Sequence, residues 1–392
     1  MRKPLTNSKS LCLTASWALL AAGLLTSCSS KPEGPFSEKE MESNLFYQAI
    51  ATTDNVELRA KAEEDPYQLL RATFPEFLKM AKSTSDSNAW LSTLPGGEIF
   101  GDIHVQQPTW RNLKLDLDDW DTIAQGPYWL DLLRAESSAL VWTRALGFRN
   151  EYDYPCINAY TNVLVRGQKV EDPKVFDSFI KANTDKDQST ESSWTKAPPL
   201  KDSEKAIYQS FLKFVEGQNL PINTETPVRS FSSGIGSFSK TKLLFLSQDN
   251  VLWELKEVDA HPLEAYQTDK QQGSLCSRYD NLLKSDAYPS SKPKACFEFE
   301  GRVFTLLQWT HSYFSLKAKH IQSFDQLHKH TEWVCSSLAE FHLKSMDKSK
   351  QRKWSMILKS PAPFQTTHKR MSREVADEIQ KAYQMLLLSQ QN

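Results

Sequence analysis

The chain has 392 residues, with 47 lysines and arginines against 48 aspartates and glutamates, a formal net charge of -1. Such a balance excludes a global field that would draw in nucleic acid or an acidic surface, and no nucleic-acid partner is expected. With 40% hydrophobic and 11% aromatic residues the chain can bury a sizeable core, which argues against a disordered polypeptide and for a globular enzyme or binding protein built as one large two-lobed domain.

At the N-terminus, Arg2 and Lys3 precede an apolar run from Leu11 to Leu25, and Leu25-Thr26-Ser27-Cys28 follows. This resembles a bacterial lipoprotein signal peptide. The resemblance implies cleavage before Cys28, acylation of that cysteine (palmitate), and, with Ser29 next, sorting to the outer membrane facing the periplasm. A short membrane anchor is the alternative, but the run is broken by Ser16 and Gly23 and is short for a span. The expected organisation is a signal peptide over 1–27, a tether over 28–37 marked by Pro32, Gly34 and Pro35, and a single domain over 38–392. The lipid would tie the protein to a membrane.

Outside the leader and Cys28, Cys156, Cys276, Cys296 and Cys335 remain, enough for two disulfides in an oxidising compartment. No C-x-x-C pair exists, which argues against a cysteine-built zinc site. Cys276 and Cys296 flank a polar segment and are read first as a bridge. The alternative is buried free thiols, which suits Cys335 on its apolar helix face.

From Glu38 to Lys82 the pattern is mostly helical, with Leu45, Phe46 and Ile50 at helical spacing and Pro75 expected to end or kink the segment. Two short apolar strands end near Ile99-Phe100 and Leu113-Leu115. Tyr128 to Leu146 reads as a strong helix, and Asp185 to Lys201 as a polar loop. Val228 to Phe231, Leu243 to Leu246, Val251 to Leu255 and Arg302 to Trp309 read as strands, and Val334 to Leu343 and Glu374 to Leu388 as helices. Strands gathered in the second half, with helices on both sides, predict an α+β fold with a β-rich lobe over about 225–310.

The strands near Ile99 and Leu115 end in carboxylates: Gly101-Asp102-Ile103-His104, then Asp116, Asp118, Asp119 and Asp121. Carboxylates are seldom packing residues, so this pattern calls for a cation or a proton acceptor. A calcium loop fits poorly, since Asp121 stands where its glycine belongs. Phosphoryl transfer needs a carboxylate on the acceptor, a carboxylate and an amide oxygen on Mg²⁺, a lysine on the phosphates and a Gly-rich cover. Asp102 can be the acceptor-side base, with His104 beside it. Asp119 can be the metal ligand, with Asp121 helping. Ser233-Gly234-Ile235-Gly236-Ser237 can cover phosphates, and Lys256, at a strand end, can face them. Each element alone also has a plain structural reading, as a turn, a cap, a core histidine or a solvated lysine.

Together these elements resemble the bacterial proteins grouped as domain of unknown function 2252, which are similar to kinase-like, aminoglycoside-phosphotransferase-like enzymes. The family's Gly-Asp-x-His-x-x-Asn element is similar to Gly101 to Gln107, and its Asn-Asp-Phe-Asp-Glu element resembles Asp118 to Thr122. Its Gly-Pro-x-x-x-Asp-x-x-Arg helix start is matched by Gly126, Pro127, Asp131 and Arg134. Gly234, Gly236 and Ser237 match its loop, Lys256 and Glu257 its strand, and Leu338 to His342 its late helix. The likeness runs from about Pro66 to about Asp347 with the order of motifs kept.

The resemblance implies a two-lobed protein-kinase-like fold, with Mg²⁺ and ATP or another nucleotide as cofactors and Gly234, Gly236, Ser237 and Lys256 on the nucleotide. In aminoglycoside-phosphotransferase-like kinases the Gly loop and lysine come first, whereas here they follow the Asp elements. One cyclic shift restores that order, which implies a circular permutation. Gln107 replaces the family's metal-binding Asn, Ser239 its third loop glycine and Thr122 its acidic residue. Gln107 still offers an amide oxygen, displaced by about one C–C bond.

Three functions follow: a phosphotransferase of unknown acceptor, using a nucleotide or another phosphoryl donor because a periplasmic site meets little ATP; a kinase-like binding lipoprotein without turnover; or a metal-assisted hydrolase using Asp102, His104 and Asp119.

Overall fold

The computed structural model describes residues 36–111, 114–148, 152–178, 180, 197–218, 220, 227–231, 240–247, 251–260, 263, 274–286, 288, 291–309, 313–360 and 362–390. The expected signal peptide, Cys28 and most of the tether lie outside these residues, as does most of the polar loop before Lys201. The chain divides into two compact units, one ending at Ser43 and one running from Asn44 to Asn392. The first holds α1 (Glu38–Ser43), and all other described elements belong to the second.

The N-terminal helical stretch is broken into short pieces: α2 (Leu45–Ala51), α3 (Val56–Ala62), α4 (Pro66–Ala72) and α5 (Phe74–Ser87). Asn44, Asn55 and Asp65 each accept a backbone N–H of the first helical turn, so α2, α3 and α4 begin where a side chain caps them. Pro75 kinks nothing. It lies in the first turn of α5, where a missing N–H costs no hydrogen bond, and the break falls at Thr73.

Four short strands follow: β1 (Gly96–Ile99), β2 (Thr109–Arg111), β3 (Lys114–Asp116) and β4 (Ala124–Pro127). β1 pairs β4, and β2 lies between β3 and a later strand, all antiparallel. Next comes α6 (Tyr128–Ala145), every residue of which from Tyr128 to Thr143 is buried. A helix buried on all faces is the axis of a core, and its polar side chains need partners inside the protein.

After α7 (Pro155–Arg166) and α8 (Asp202–Glu216) come β5 (Arg229–Ser230), β6 (Lys242–Leu246), β7 (Leu252–Val258), a short helix α9 (Asp280–Lys284), β8 (Ala295–Phe299), β9 (Arg302–Gln308) and β10 (Tyr313–Ser315). The chain closes with α10 (Phe324–Ser345), α11 (Lys348–Lys359) and α12 (Ala362–Ser389). The strands from β5 to β9 form one antiparallel sheet in the order β5-β6-β7-β9-β8, and β10 completes the sheet of β2 and β3. Small antiparallel sheets among helices make the fold mixed α and β, compatible with the expected α+β class. Three expectations change. β4, β8 and β10 are added strands, Lys256 lies within β7 rather than at its end, and α10 and α12 begin well before Val334 and Glu374.

The five-stranded sheet has two unlike faces. Leu243, Phe245, Trp253, Leu255, Phe304 and Leu306 meet Ile207, Phe211 and Val215 of α8 in a core of their own. The opposite face carries Lys242, Glu254, Lys256 and Thr305, also buried. The period-2 alternation of strands separates the two sets.

Both pairs of cysteines are bridged. Cys276 joins Cys296, as the sequence suggests, but Cys335 is no free thiol: it pairs with Cys156 because α7 and α10 pack side by side, with Cα atoms 5.1 Å apart. Among the described residues no helix is long and apolar enough to cross a membrane.

Candidate active site

Two loops and one strand build the site. The first loop leaves β1 at Phe100. Asp131 of α6 accepts the Phe100 and Gly101 N–H groups, one on each carboxylate oxygen, both at 2.7 Å. Gly101 has φ 79°, and a Cβ there would lie 2.9 Å from the Thr122 carbonyl oxygen, so glycine is needed twice over. The turn delivers Asp102, whose Oδ1 accepts from Arg134 Nε at 2.8 Å and Nη2 at 2.6 Å. Arg134 is wholly buried, also donates to the Leu70 carbonyl at 3.0 Å, and stands 4.8 Å from the Phe77 ring.

The second loop leaves β3 and carries Asp118 to Thr122. Thr122 fastens it to the first loop: its hydroxyl donates to the Phe100 carbonyl at 2.6 Å and accepts the Asp102 N–H at 3.1 Å. Gln107 adds a second clasp. Its Nε2 donates to the Asp119 carbonyl at 2.9 Å, and its Oε1 accepts the His104 N–H at 3.2 Å. Tyr279 donates to the Trp120 and Asp121 carbonyls at 3.1 and 3.3 Å. These bonds hold Asp119 in the left-handed region, φ 67°, a conformation that a non-glycine residue adopts at a cost and that clusters at functional sites.

Across from this loop, β7 presents Lys256. Its Nζ lies 2.9 Å from Asp119 Oδ1 and 2.6 Å from Asp121 Oδ2. The Asp119 side chain keeps 41% of its surface exposed against 11% each for Asp121 and Lys256, so the open side of the triad is at Asp119.

The charges interact strongly. Burial alone would raise the Asp119 carboxyl, but the charge and hydrogen bond of Lys256 hold it far below the usual carboxylate range. Asp121 is pushed up to about 7 by burial and by the Asp119 carboxylate, against the pull of Lys256. Two carboxylates sharing one ammonium titrate as a pair, one giving up its proton early and one late. Burial works against a charged Lys256, but Asp119, Asp121 and Glu254 more than offset it and hold its proton. Asp102 is raised by burial, with Arg134 pulling the other way. His104 is kept neutral by burial and by the Arg71 and Arg134 charges, and its Nδ1 lies 3.1 Å from the Tyr67 hydroxyl.

The structure thus brings Asp119, Asp121 and Lys256 into direct contact, with Asp102 near enough to feel the Asp119 charge. His104 is 4% exposed and bonded as a core histidine is. Gln107 spends its carboxamide on the backbone of the two loops. Gly234, Gly236, Ser237 and Ser239 lie outside the described residues. Sequence reasoning missed Tyr67, Tyr279 and the clasping role of Thr122. Only Thr122 left a signal, as the one residue of its motif that is not acidic where an acid is expected.

Among the described residues no group of three or more His, Cys, Asp or Glu side chains surrounds one metal-sized point. The donor set still suits Mg²⁺, which is commonly held by one or two carboxylates and completes its shell with phosphate oxygens and water. No family model, no curated protein and no solved structure matches this chain.

Proposed function

We propose that the protein is a kinase-like phosphotransferase, with a circularly permuted two-lobed fold, that binds a nucleotide with Mg²⁺ between the five-stranded sheet and the loops of Asp102 and Asp119. One observation carries the reading: the Lys256 ammonium meets Asp119 and Asp121, the meeting that the order of motifs requires.

In this reading Lys256 holds phosphate oxygens, Asp119 with Asp121 holds the cation, and Asp102, oriented by Arg134, accepts the proton of an acceptor hydroxyl. As that oxygen bonds to the terminal phosphorus, the bridging P–O bond breaks and the nucleoside diphosphate leaves. Bound Mg²⁺ supplies charge that offsets the phosphates. Binding without turnover is a second reading. It is favoured by Gln107, whose carboxamide is engaged with the Asp119 carbonyl and the His104 N–H rather than offered to a cation.

Calorimetric titration of the full-length protein tests both. Mg²⁺ and ATP together should bind, and Asp119→Asn should abolish that binding. Asparagine tolerates the left-handed backbone at this position, so the exchange removes charge and leaves the turn intact. Binding with no transfer to any hydroxyl acceptor would favour the second reading, and absence of binding by the parent protein would sink both.

A further inference from the structure

The charges of the chain balance overall but not along it. From Lys348 to Arg373 the sequence holds no aspartate or glutamate, yet it places Lys348, Lys350, Arg352, Lys353 and Lys359 on α11 and Lys369, Arg370 and Arg373 on the first half of α12. The helix against which α11 packs, α7, carries no acid either. Asp347, just before α11, caps it by accepting the Lys350 N–H at 2.8 Å. The three cations of α12 are engaged: Lys369 and Arg373 stand over the Tyr154 ring at 5.0 and 5.3 Å, and Arg370 pairs with Glu374 at 2.9 Å. Those of α11 make no ion pair among the described residues, and Lys353 alone donates a side-chain hydrogen bond, to the Thr93 carbonyl at 2.6 Å.

Packing turns the charges of α11 outward. Trp354 and Leu358 are its buried residues, and the Trp354 indole N–H donates to the Tyr160 hydroxyl, which fixes the rotation of the helix. At about 100° per residue, the pole opposite these two is residue 356. Met356 stands there with 65% of its surface exposed, and Arg352 and Lys359, one turn to either side of it, are exposed as well. An apolar tip rimmed by cations is the pattern of a helix that lies on a lipid surface, where the cations meet anionic headgroups and the tip enters between them.

We propose that the exposed face of α11, centred on Met356, docks on a membrane surface rich in anionic phospholipid and sets how the domain faces the bilayer. The leader's likeness to a lipoprotein signal selects this partner among polyanions, since a lipid at Cys28 would keep the folded domain within a short chain's reach of such a surface. Exposed charges attract one another only within about 8 Å at physiological salt, so the face acts where an anchor already holds the domain close. The docking is independent of the phosphotransferase reading.

The test places a fluorophore that reports apolar surroundings on Met356→Cys in the full-length protein, held on vesicles of phosphatidylcholine alone or with phosphatidylglycerol. The four cysteines of the folded domain are bridged, and the parent taken through the same labelling gives the background. Phosphatidylglycerol should shift the emission to the blue, and 1 M salt, where screening sets in at about 3 Å, should reverse it. Adding Arg352→Glu and Lys359→Glu should remove the shift without changing the urea midpoint, since both side chains are exposed, whereas Arg352→Lys with Lys359→Arg should keep it. Equal emission on the two kinds of vesicle, or a shift that survives both charge reversals, overturns the docking. A shift with heparin in solution and none on phosphatidylglycerol overturns the membrane and gives the face to a soluble polyanion. Failure of phosphatidylcholine vesicles to hold the protein overturns the lipid anchor, and the docking then stands or falls on the shift with phosphatidylglycerol.

Discussion

His342 Nε2 lies 3.0 Å from Asp131 Oδ2, with both side chains fully buried. The contact is one link in a chain. The Trp354 indole N–H donates to the Tyr160 hydroxyl at 3.0 Å, that hydroxyl donates to His342 Nδ1 at 2.7 Å, and Asp131 in turn accepts the two N–H groups that shape the Asp102 turn. Burial lowers the His342 pKa even though Asp131 pulls it up, so the ring is neutral with its proton on Nε2.

Asp131 is therefore a support with both carboxylate oxygens engaged. Asp131→Asn places an amide N–H against a backbone N–H and should cost roughly 2–4 kcal/mol in urea unfolding. The affinity of the folded fraction for Mg²⁺ and ATP should change less than the stability does. A larger change in affinity than in stability would place Asp131 on the ligand.

Gln107→Asn tests the clasp between the loops. Asparagine is shorter by one methylene, about 1.5 Å, and cannot reach both the Asp119 carbonyl and the His104 N–H. The expected loss is about 1–2 kcal/mol of stability by urea midpoint. Stability equal to the parent, with tighter Mg²⁺ binding, would instead make residue 107 a ligand.

Acid should destabilise the protein through its buried histidines. Burial holds His330 down to about 4, with the Val105 carbonyl as its one opposing influence, whereas the unfolded ring titrates near 6.5. Below pH 6.5 the unfolded chain takes up a proton that the folded ring refuses, so this stability is complete above 6.5 and lost as pH falls toward 4. His330 alone should remove ~2 kcal/mol between about pH 7.5 and about pH 5. Asp121, raised to about 7, works in the opposite direction over part of this window. Urea midpoints of the parent and of His330→Gln at the two pH values isolate the term, since glutamine can still donate to Val105. An equal pH dependence in both proteins would refute it.

The two disulfides should differ in weight. Cys156–Cys335 closes 179 residues and Cys276–Cys296 closes 20, so in the chain-entropy account the first contributes ~2 kcal/mol more. Unfolding of Cys156→Ala/Cys335→Ala against Cys276→Ala/Cys296→Ala should rank them in that order. The second pair should have an added local effect, because Tyr279 follows Cys276 by three residues and holds the Asp121 carbonyl.

The sequence by itself determined where local chemistry dominates. Periodicity placed α6 from Tyr128 within a residue of its true end, β-branched and apolar runs placed β6, β7 and β9, and the spacing of Cys276 and Cys296 suggested their bridge. It also nominated Asp119, Asp121 and Lys256, because carboxylates at strand ends and a lysine closing an apolar strand call for a cation and an anion. Only the tertiary structure decided what each of them touches. Lys256 and Asp119 are 137 residues apart, and their contact depends on how the five-stranded sheet meets the loop after β3. The same holds for Cys156 with Cys335 and for Tyr279 on the Asp121 carbonyl. Gln107 shows the limit most plainly: its residue type offers a ligand oxygen, and whether that oxygen meets a cation or a backbone N–H is set by loops folded three and twelve residues away. Long-range hydrogen bonds leave no periodic trace in a chain, because either partner alone satisfies the local pattern equally well.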